Sequence, residues 1–198
     1  GVMCAGTELW QKKVTEIGLR NLNETGSNGI YYDQVSCSPA FPCYNPNHGH
    51  PVGGGTHWTD GYRTIVEGIR AAVPDVPLTS ENWSEPYTDL FDGFLVWGPN
   101  VGNDVPLTPA VYSGYMMHYG RPVPLDCDPE TAFREYARTL VWGEAFGWIV
   151  PYVLWVDRYR DRVALIHRMA CLRRDWKEFL VLGTLEGEVR LSVSDPDV

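Results

Sequence analysis

The chain has 198 residues, 44% apolar and 21% charged, the proportions of a globular protein with a sizeable core. Its net charge of −9 argues against a nucleic-acid partner, which would need a basic face. No run reaches the ~18 consecutive apolar residues of a membrane span; the longest, Trp148–Val156, is interrupted by Pro151.

The opening Gly1-Val2-Met3-Cys4 lacks the charged and apolar regions of a signal peptide. It reads as the end of a strand, so an upstream portion is expected, and extracellular and cytoplasmic locations both stay open. Thr7 is placed to cap a helix with Trp10, Val14 and Ile17 on one face, ended at Gly26-Ser27-Asn28-Gly29. Ile30-Tyr31-Tyr32-Asp33 reads as a short buried strand. The loop from Gln34 to Trp58, rich in Pro, Gly, Asn and His, is longer than compact domains usually tolerate without a function, and is expected to cover the cleft beside Asp33.

A second helix is expected from Thr59 to Val73, with Tyr62, Ile65, Ile69 and Ala72 inward and Pro74 and Pro77 closing it. Leu78-Thr79-Ser80-Glu81 is the next strand, followed by a helical turn over Glu85–Leu90. Gly93–Trp97 and Pro109–Tyr112 complete four strands. Asp128 and Pro129 start a helix expected to run to Phe146, with Phe133, Tyr136, Ala137, Leu140 and Val141 inward and Gly147 at its end. A fifth strand is expected at Trp148–Val150 and a last helix from Asp157 to Glu178. From Phe179 onward Leu180, Leu182, Leu185, Val189, Leu191 and Val193 look like strands.

This alternation suggests parallel strands joined by helices. The expected fold is α/β: strands four to eight of a (β/α)8 TIM barrel over residues 1–178, then the beginning of a β-rich domain over 179–198. A small open α/β sheet is the other possibility. Gly53-Gly54-Gly55 lacks the lysine and preceding strand of a phosphate loop.

Asp33 and Glu81 both fall at the C-terminal ends of neighbouring strands, where a parallel barrel forms its active site. Two facing carboxylates suit glycoside hydrolysis, one as nucleophile or base and the other as proton donor. Glu85 is the nearest rival to Glu81; Asp92 and Asp104 are weaker, Asp92 lying in an Asp-Gly turn. Eight Trp and eleven Tyr offer flat faces for sugar rings as well as core material. Tyr32, Trp83, Trp97, Tyr112 and Trp148 are candidates for a sugar-binding wall. Gln34, Glu85, His48, His50 and His118 are candidates for contacts with sugar hydroxyls.

The five cysteines, Cys4, Cys37, Cys43, Cys127 and Cys171, form no CxxC pair, which speaks against a zinc ribbon. Cys37 and Cys43 share a loop and could pair in an exported protein; Cys171 is expected to be a buried free thiol. His48, His50 and His57 with Asp33 could form a metal site. They lack the rigid spacing of a helical pair, so hydrogen bonding or loop structure is the preferred reading, and no metal or cofactor is assigned.

Four segments carry a resemblance: Gly29-Ile30-Tyr31-Tyr32-Asp33-Gln34, His48-Gly49-His50-Pro51 with Gly53-Gly54-Gly55, Glu81-Asn82-Trp83-Ser84-Glu85-Pro86-Tyr87, and Leu140-Val141-Trp142-Gly143-Glu144. In this order, from about Met3 to Leu182, they resemble a family of glycosidase-like barrel proteins known only as a domain of unknown function. That family is similar to retaining glycosidases such as endo-α-N-acetylgalactosaminidases and α-amylase-like enzymes. The resemblance implies an Asp nucleophile on the fourth strand, matching Asp33, and a Glu acid/base on the fifth, matching Glu81. The sixth-strand end, Trp97-Gly98-Pro99-Asn100, has no acid, unlike the α-galactosidase-like clan. The expected function is retaining hydrolysis of an α-linked carbohydrate without a cofactor. The alternatives are a non-catalytic carbohydrate-binding barrel and a metal-dependent hydrolase using the loop histidines.

Overall fold

The structure, a computed structural model, describes residues 2–96 and 106–186. The chain divides into two compact units interleaved along the sequence. The first holds the described residues up to Val96 together with Met116–Pro122 and Gly147–Ile149; the second holds the described residues between Pro106 and Tyr115, Val123–Phe146 and those from Val150 onward.

In the first unit, β1 (Ile30–Tyr32), β2 (Leu78–Glu81), β3 (Gly93–Leu95) and β4 (Met117–Tyr119) form a parallel sheet in the order β1-β2-β3-β4. The registers align Tyr32 with Ser80, Ser80 with Phe94 and Phe94 with His118. Side chains alternate along a strand, so Tyr32, Ser80, Phe94 and His118 form one row. Tyr31, Thr79, Gly93 and Met117 form another, on the opposite face.

Helices α1 (Glu8–Thr25) and α2 (His57–Ala72) pack on the Tyr32 face. Gly18 of α1 is buried because a Cβ there would fall 2.5 Å from Ile69 Cδ1, 3.2 Å from the Tyr32 hydroxyl and 3.3 Å from Ile30 Cδ1. Ile65, Val66 and Ile69 of α2, Leu78 of β2 and Phe94 of β3 are almost fully buried. The ring of Phe91 joins Tyr32, Tyr87 and Phe94 at centroid separations of 5.8–6.3 Å. Beneath the sheet, Arg70 donates to Asp92 Oδ2, which also accepts the amide of Leu78. Asp92 therefore anchors the entry to β2, at the end of the sheet away from Glu81.

The segment before α1 is clamped as tightly. Ala5 is fully buried, and Gly61 of α2 approaches its carbonyl so closely that a Cβ would lie 2.0 Å from the oxygen. Thr7 occupies the N-cap position of α1, but its hydroxyl donates to the Cys4 carbonyl instead of capping the helix. Of the residues expected inward on α1, Trp10 and Val14 are half-buried and Ile17 is exposed, because the close contact is made by Gly18. Ala72 is likewise exposed, at the last position of α2.

The fourth strand is not Pro109–Tyr112. Those residues belong to a short helix, α3 (Leu107–Tyr112), in the second unit. A short apolar run fits helix or strand equally, and Pro109 is tolerated because first-turn amides have no helical acceptor. Trp148–Val150 forms no strand, and Trp148 takes φ 53°.

In the second unit, α4 (Pro129–Val141) begins as its sequence suggests: Asp128 accepts from the Thr131 amide and hydroxyl. It stops earlier than Phe146. Gly143 (φ 72°) sends its amide to Leu140 O, and Glu144 sends its amide to Thr139 O, a Schellman closure. The Trp142-Gly143-Glu144 segment is thus a helix terminator, and Gly147 is not. Phe133 and Val141 are exposed; the buried stripe is Ala132, Glu135, Tyr136 and Thr139. Glu135 can be buried because Arg138 reaches both its carboxylate oxygens at 3.1 and 3.2 Å. This stripe meets Met169, Leu165 and Ile166 of α5 (Arg160–Asp175). Cys171 on α5 is free but only half-buried, since α5 turns Met169 inward instead. Lys177–Leu180 is a helical turn, α6, where the switch to strands was expected to begin; residues 187–198 of that expectation lie outside the described residues. Among the described residues, no helix is long and apolar enough to cross a membrane.

Candidate active site

Asp33 directly follows β1, and Glu81 is the last residue of β2. The β1–β2 register, continued one step past Tyr32 and Ser80, brings Asp33 alongside Glu81 at the C-terminal edge of the sheet. By alternation both lie on the face away from α1 and α2. The residue after each acid takes the left-handed backbone region, Gln34 at φ 59° and Asn82 at φ 52°. Asn accepts this conformation readily; Gln does so at a cost. The same backbone device thus turns the chain out of the sheet immediately beyond each carboxylate.

A buried pair of serines locks the two strand ends together. Ser80 Oγ donates to Tyr32 O at 2.8 Å, and Ser36 Oγ lies 2.9 Å from Ser80 Oγ, 2.6 Å from Glu81 O and 2.5 Å from Asn82 O. One hydroxyl proton serves these acceptors by turns, so the loop after Asp33 is held to the strand that carries Glu81.

Two neutral donors face the acids. Tyr31 donates from its hydroxyl to Asp33 Oδ1 at 3.2 Å, and the Cys37 thiol to Glu81 Oε2 at 3.5 Å. Local desolvation of the hydroxyl, and then the negative charge of Glu81, push the phenol of the otherwise exposed Tyr31 well above its ordinary range. The same two causes, with the hydrogen bond to Glu81, push the Cys37 thiol up to about 11. Both groups therefore keep their protons at neutral pH. Glu81 is buried, Asp33 exposed. Tyr119 closes the row by donating to Thr79 Oγ1 at 2.9 Å.

Other candidates are distributed differently. Tyr32 points its ring at Phe91 and its hydroxyl toward α1, away from the carboxylates. Burial lifts that phenol to about 12, and its oxygen is buried without a hydrogen-bond partner. His118 sits in the Phe94 row, also buried, with Nε2 unpartnered; burial first, and Arg121 second, lower it to about 4. Trp83 follows Glu81 and donates from its indole to Thr88 Oγ1 at 3.0 Å. Glu85 is exposed at the start of the 3-10 turn Glu85–Tyr87. Gln34 and Trp148 are exposed in the first unit, Tyr112 lies in the second, and Trp97 and Asp104 are outside the described residues.

His48 and His50 gather with Cys4 and Cys43, not with Asp33. His57 stands beside them with its ring nitrogens facing Gly54 O and Phe41 O. All five cysteines are free, so Cys37 and Cys43 are not bridged. Sequence reasoning passed over Tyr31, Cys37, Ser36 and Tyr119. Strand parity carried the signal for Tyr31, which shares its face with Asp33, whereas Tyr32 does not.

The family described as "Domain of unknown function (DUF6259)" matches residues 1–123, and the chain belongs to it. The Leu140–Glu144 segment lies beyond that match. A Bacteroides thetaiotaomicron protein is 28% identical over 95% of this chain, and a Monosiga brevicollis protein 32% identical over 92%. Both bear names beginning "Putative glycoside hydrolase". The chain spans 29% and 18% of their respective lengths.

Proposed function

We propose that the chain forms the catalytic side of a glycoside hydrolase barrel that cleaves an α-linked carbohydrate with retention. The observation that supports this best is the placement of Asp33 and Glu81 at adjacent ends of parallel strands, on the face opposite the helices. The kinship with proteins named as glycoside hydrolases points the same way. In this reading the four strands are an arc of a (β/α)8 barrel, counted from its fourth strand, and a β-rich domain follows it. Sequential strand order without a reversal suits such an arc better than a doubly wound sheet.

Asp33, exposed and held by Tyr31, attacks the anomeric carbon and forms a glycosyl–enzyme ester while the glycosidic bond breaks. Glu81, buried where Asp33 is exposed, gives a proton to the departing oxygen. It then takes a proton from the water that hydrolyses the ester. The two acids also favour the positive charge that develops on the sugar ring in the transition state. Trp83 and Trp148 offer faces to the ring. The likeness to endo-α-N-acetylgalactosaminidases and α-amylase-like enzymes belongs to this reading, as does a carboxyl separation of ~5–5.5 Å in the substrate complex.

The test is kinetic, in the full-length protein. Asp33→Asn should abolish hydrolysis of every substrate. Glu81→Gln should retain the first step on an aryl glycoside with a good leaving group, and azide should restore turnover by replacing base-activated water. Equal loss in both variants without azide rescue would remove Glu81 from the role and bring Glu85 forward.

A further inference from the structure

We propose that Cys4, Cys43, His48 and His50 bind a structural zinc ion. Each offers one ligand atom, and these four atoms lie within 4.8 Å of one another. Cys4 Sγ is 3.1 Å from His50 Nε2, and Cys43 Sγ is 3.2 Å from His48 Nδ1. Zinc–sulfur and zinc–nitrogen bonds of ~2.3 and ~2.05 Å at tetrahedral angles require an S···N edge of about 3.6 Å. The cluster needs to open by only a few tenths of an ångström there to admit the ion.

The surroundings prepare the ligands. His50 Nδ1 lies 2.9 Å from Pro51 O and donates to it, which leaves Nε2 as the lone pair facing Cys4. A metal-bound imidazole characteristically hydrogen-bonds in this way through its other nitrogen. The His50 ring is sandwiched. His57 stacks on it at 4.2 Å and 12°, and Gly6 backs it so closely that a Cβ would come within 2.8 Å of Cδ2. Cys4 is fixed through its neighbour Ala5, which is buried against Gly61. Cys43 O accepts the Gly53 amide at 2.7 Å, closing the loop around the two histidines. His48 Nε2 rests 2.9 Å from the Asn45 side-chain amide. Binding through Nδ1 leaves a proton on Nε2, so the Asn45 amide must turn its oxygen there and release the Asn47 N–H it now accepts.

Two thiolates and two imidazoles select a soft or borderline ion over calcium or magnesium. Four protein ligands leave no open position, so the ion is structural and takes no part in hydrolysis. Binding expels the two thiol protons to solvent and yields a neutral unit of Zn²⁺ with two thiolates and two neutral imidazoles. Cys4 precedes α1 and the other three ligands belong to the β1–α2 loop, so the ion staples that loop to the segment before α1.

The experiment uses the protein purified without chelator from zinc-supplemented culture. One equivalent of zinc is expected by elemental analysis. Replacement by Co²⁺ should produce visible d–d bands and a thiolate-to-metal charge-transfer band of tetrahedral type. Chelation should lower the thermal midpoint by roughly 10 °C, reversed by added zinc. Cys4→Ser with Cys43→Ser should lose the metal and both bands, and Cys171→Ser should keep them. Should the double variant fail to fold, the wild-type cobalt spectrum and zinc content still decide. Sub-stoichiometric zinc without a thiolate band, retention of the bands in the double variant, or a Cys4–Cys43 disulfide in the native protein would overturn the assignment.

Discussion

Tyr31 and Tyr32 are adjacent and chemically identical, yet strand parity gives them opposite tasks. The Tyr31 hydroxyl donates to Asp33, whereas the Tyr32 hydroxyl is buried without a partner. With Asp33 as the proposed nucleophile, Tyr31→Phe should therefore lower kcat roughly tenfold to a hundredfold, the effect of removing one hydrogen bond to a charged group. Stability should barely change, because Tyr31 is exposed. Tyr32→Phe should leave kcat intact and hold or raise the thermal midpoint, since it deletes an unsatisfied buried oxygen. Parallel kinetics and melting curves on the two variants check both outcomes; a larger kinetic loss from Tyr32→Phe would reverse the assignment of faces. The positive φ angles at Gln34 and Asn82 belong to the same scale. They turn the main chain out of the sheet directly after each acid.

At the level of elements, most of the first unit was legible. Apolar runs bounded by Gly and Pro gave β1, β2 and β3, and periodicity gave α1 and α2 to within two residues. What misled was chemistry that depends on specific partners, some three residues away and some far along the chain. Phe133 and Val141 look like core residues until Arg138 neutralises Glu135 and lets the acid take the inward stripe. Cys4 and Cys43 resemble no metal motif because folding, not spacing, unites them. The Thr7 cap was misread because the Cys4 carbonyl competes for its hydroxyl. Helix ends can test this distinction. Gly143→Ala should destabilise by more than ~1 kcal/mol, since φ is 72° and the new Cβ would lie 2.6 Å from Leu180 O. Thr7→Ala should cost well under the ~1 kcal/mol of a working cap. Urea titration of both variants compares them; a Thr7→Ala loss equal to that of Gly143→Ala would show that the hydroxyl caps α1 after all.

For the molecule as a whole, His118 predicts a response to acid. Burial holds its folded-state pKa near 4, below the ordinary value of 6.5, so the folded state prefers it neutral. Between those values the unfolded chain binds a proton that the folded chain refuses. Its contribution is therefore complete above about pH 6.5 and is lost progressively as the pH falls toward 4. His118→Phe should flatten the thermal midpoint across that window, and an unchanged slope would assign the acid sensitivity to other groups. The two compact units add a constraint of another kind. The first unit is complete only when Met116–Pro122 and Gly147–Ile149 have joined it, after stretches that belong to the second. During synthesis β4 and the Gly147–Ile149 segment leave the ribosome late, so β3 waits with an open edge while chain destined for the other unit emerges. The interleaving also means that no single cut separates the units: a cut after Ile149 keeps the first whole but leaves two stretches of the second attached to it. Gene truncation, the usual route to isolating a compact unit, would therefore never deliver the first unit free of chain that belongs to the second.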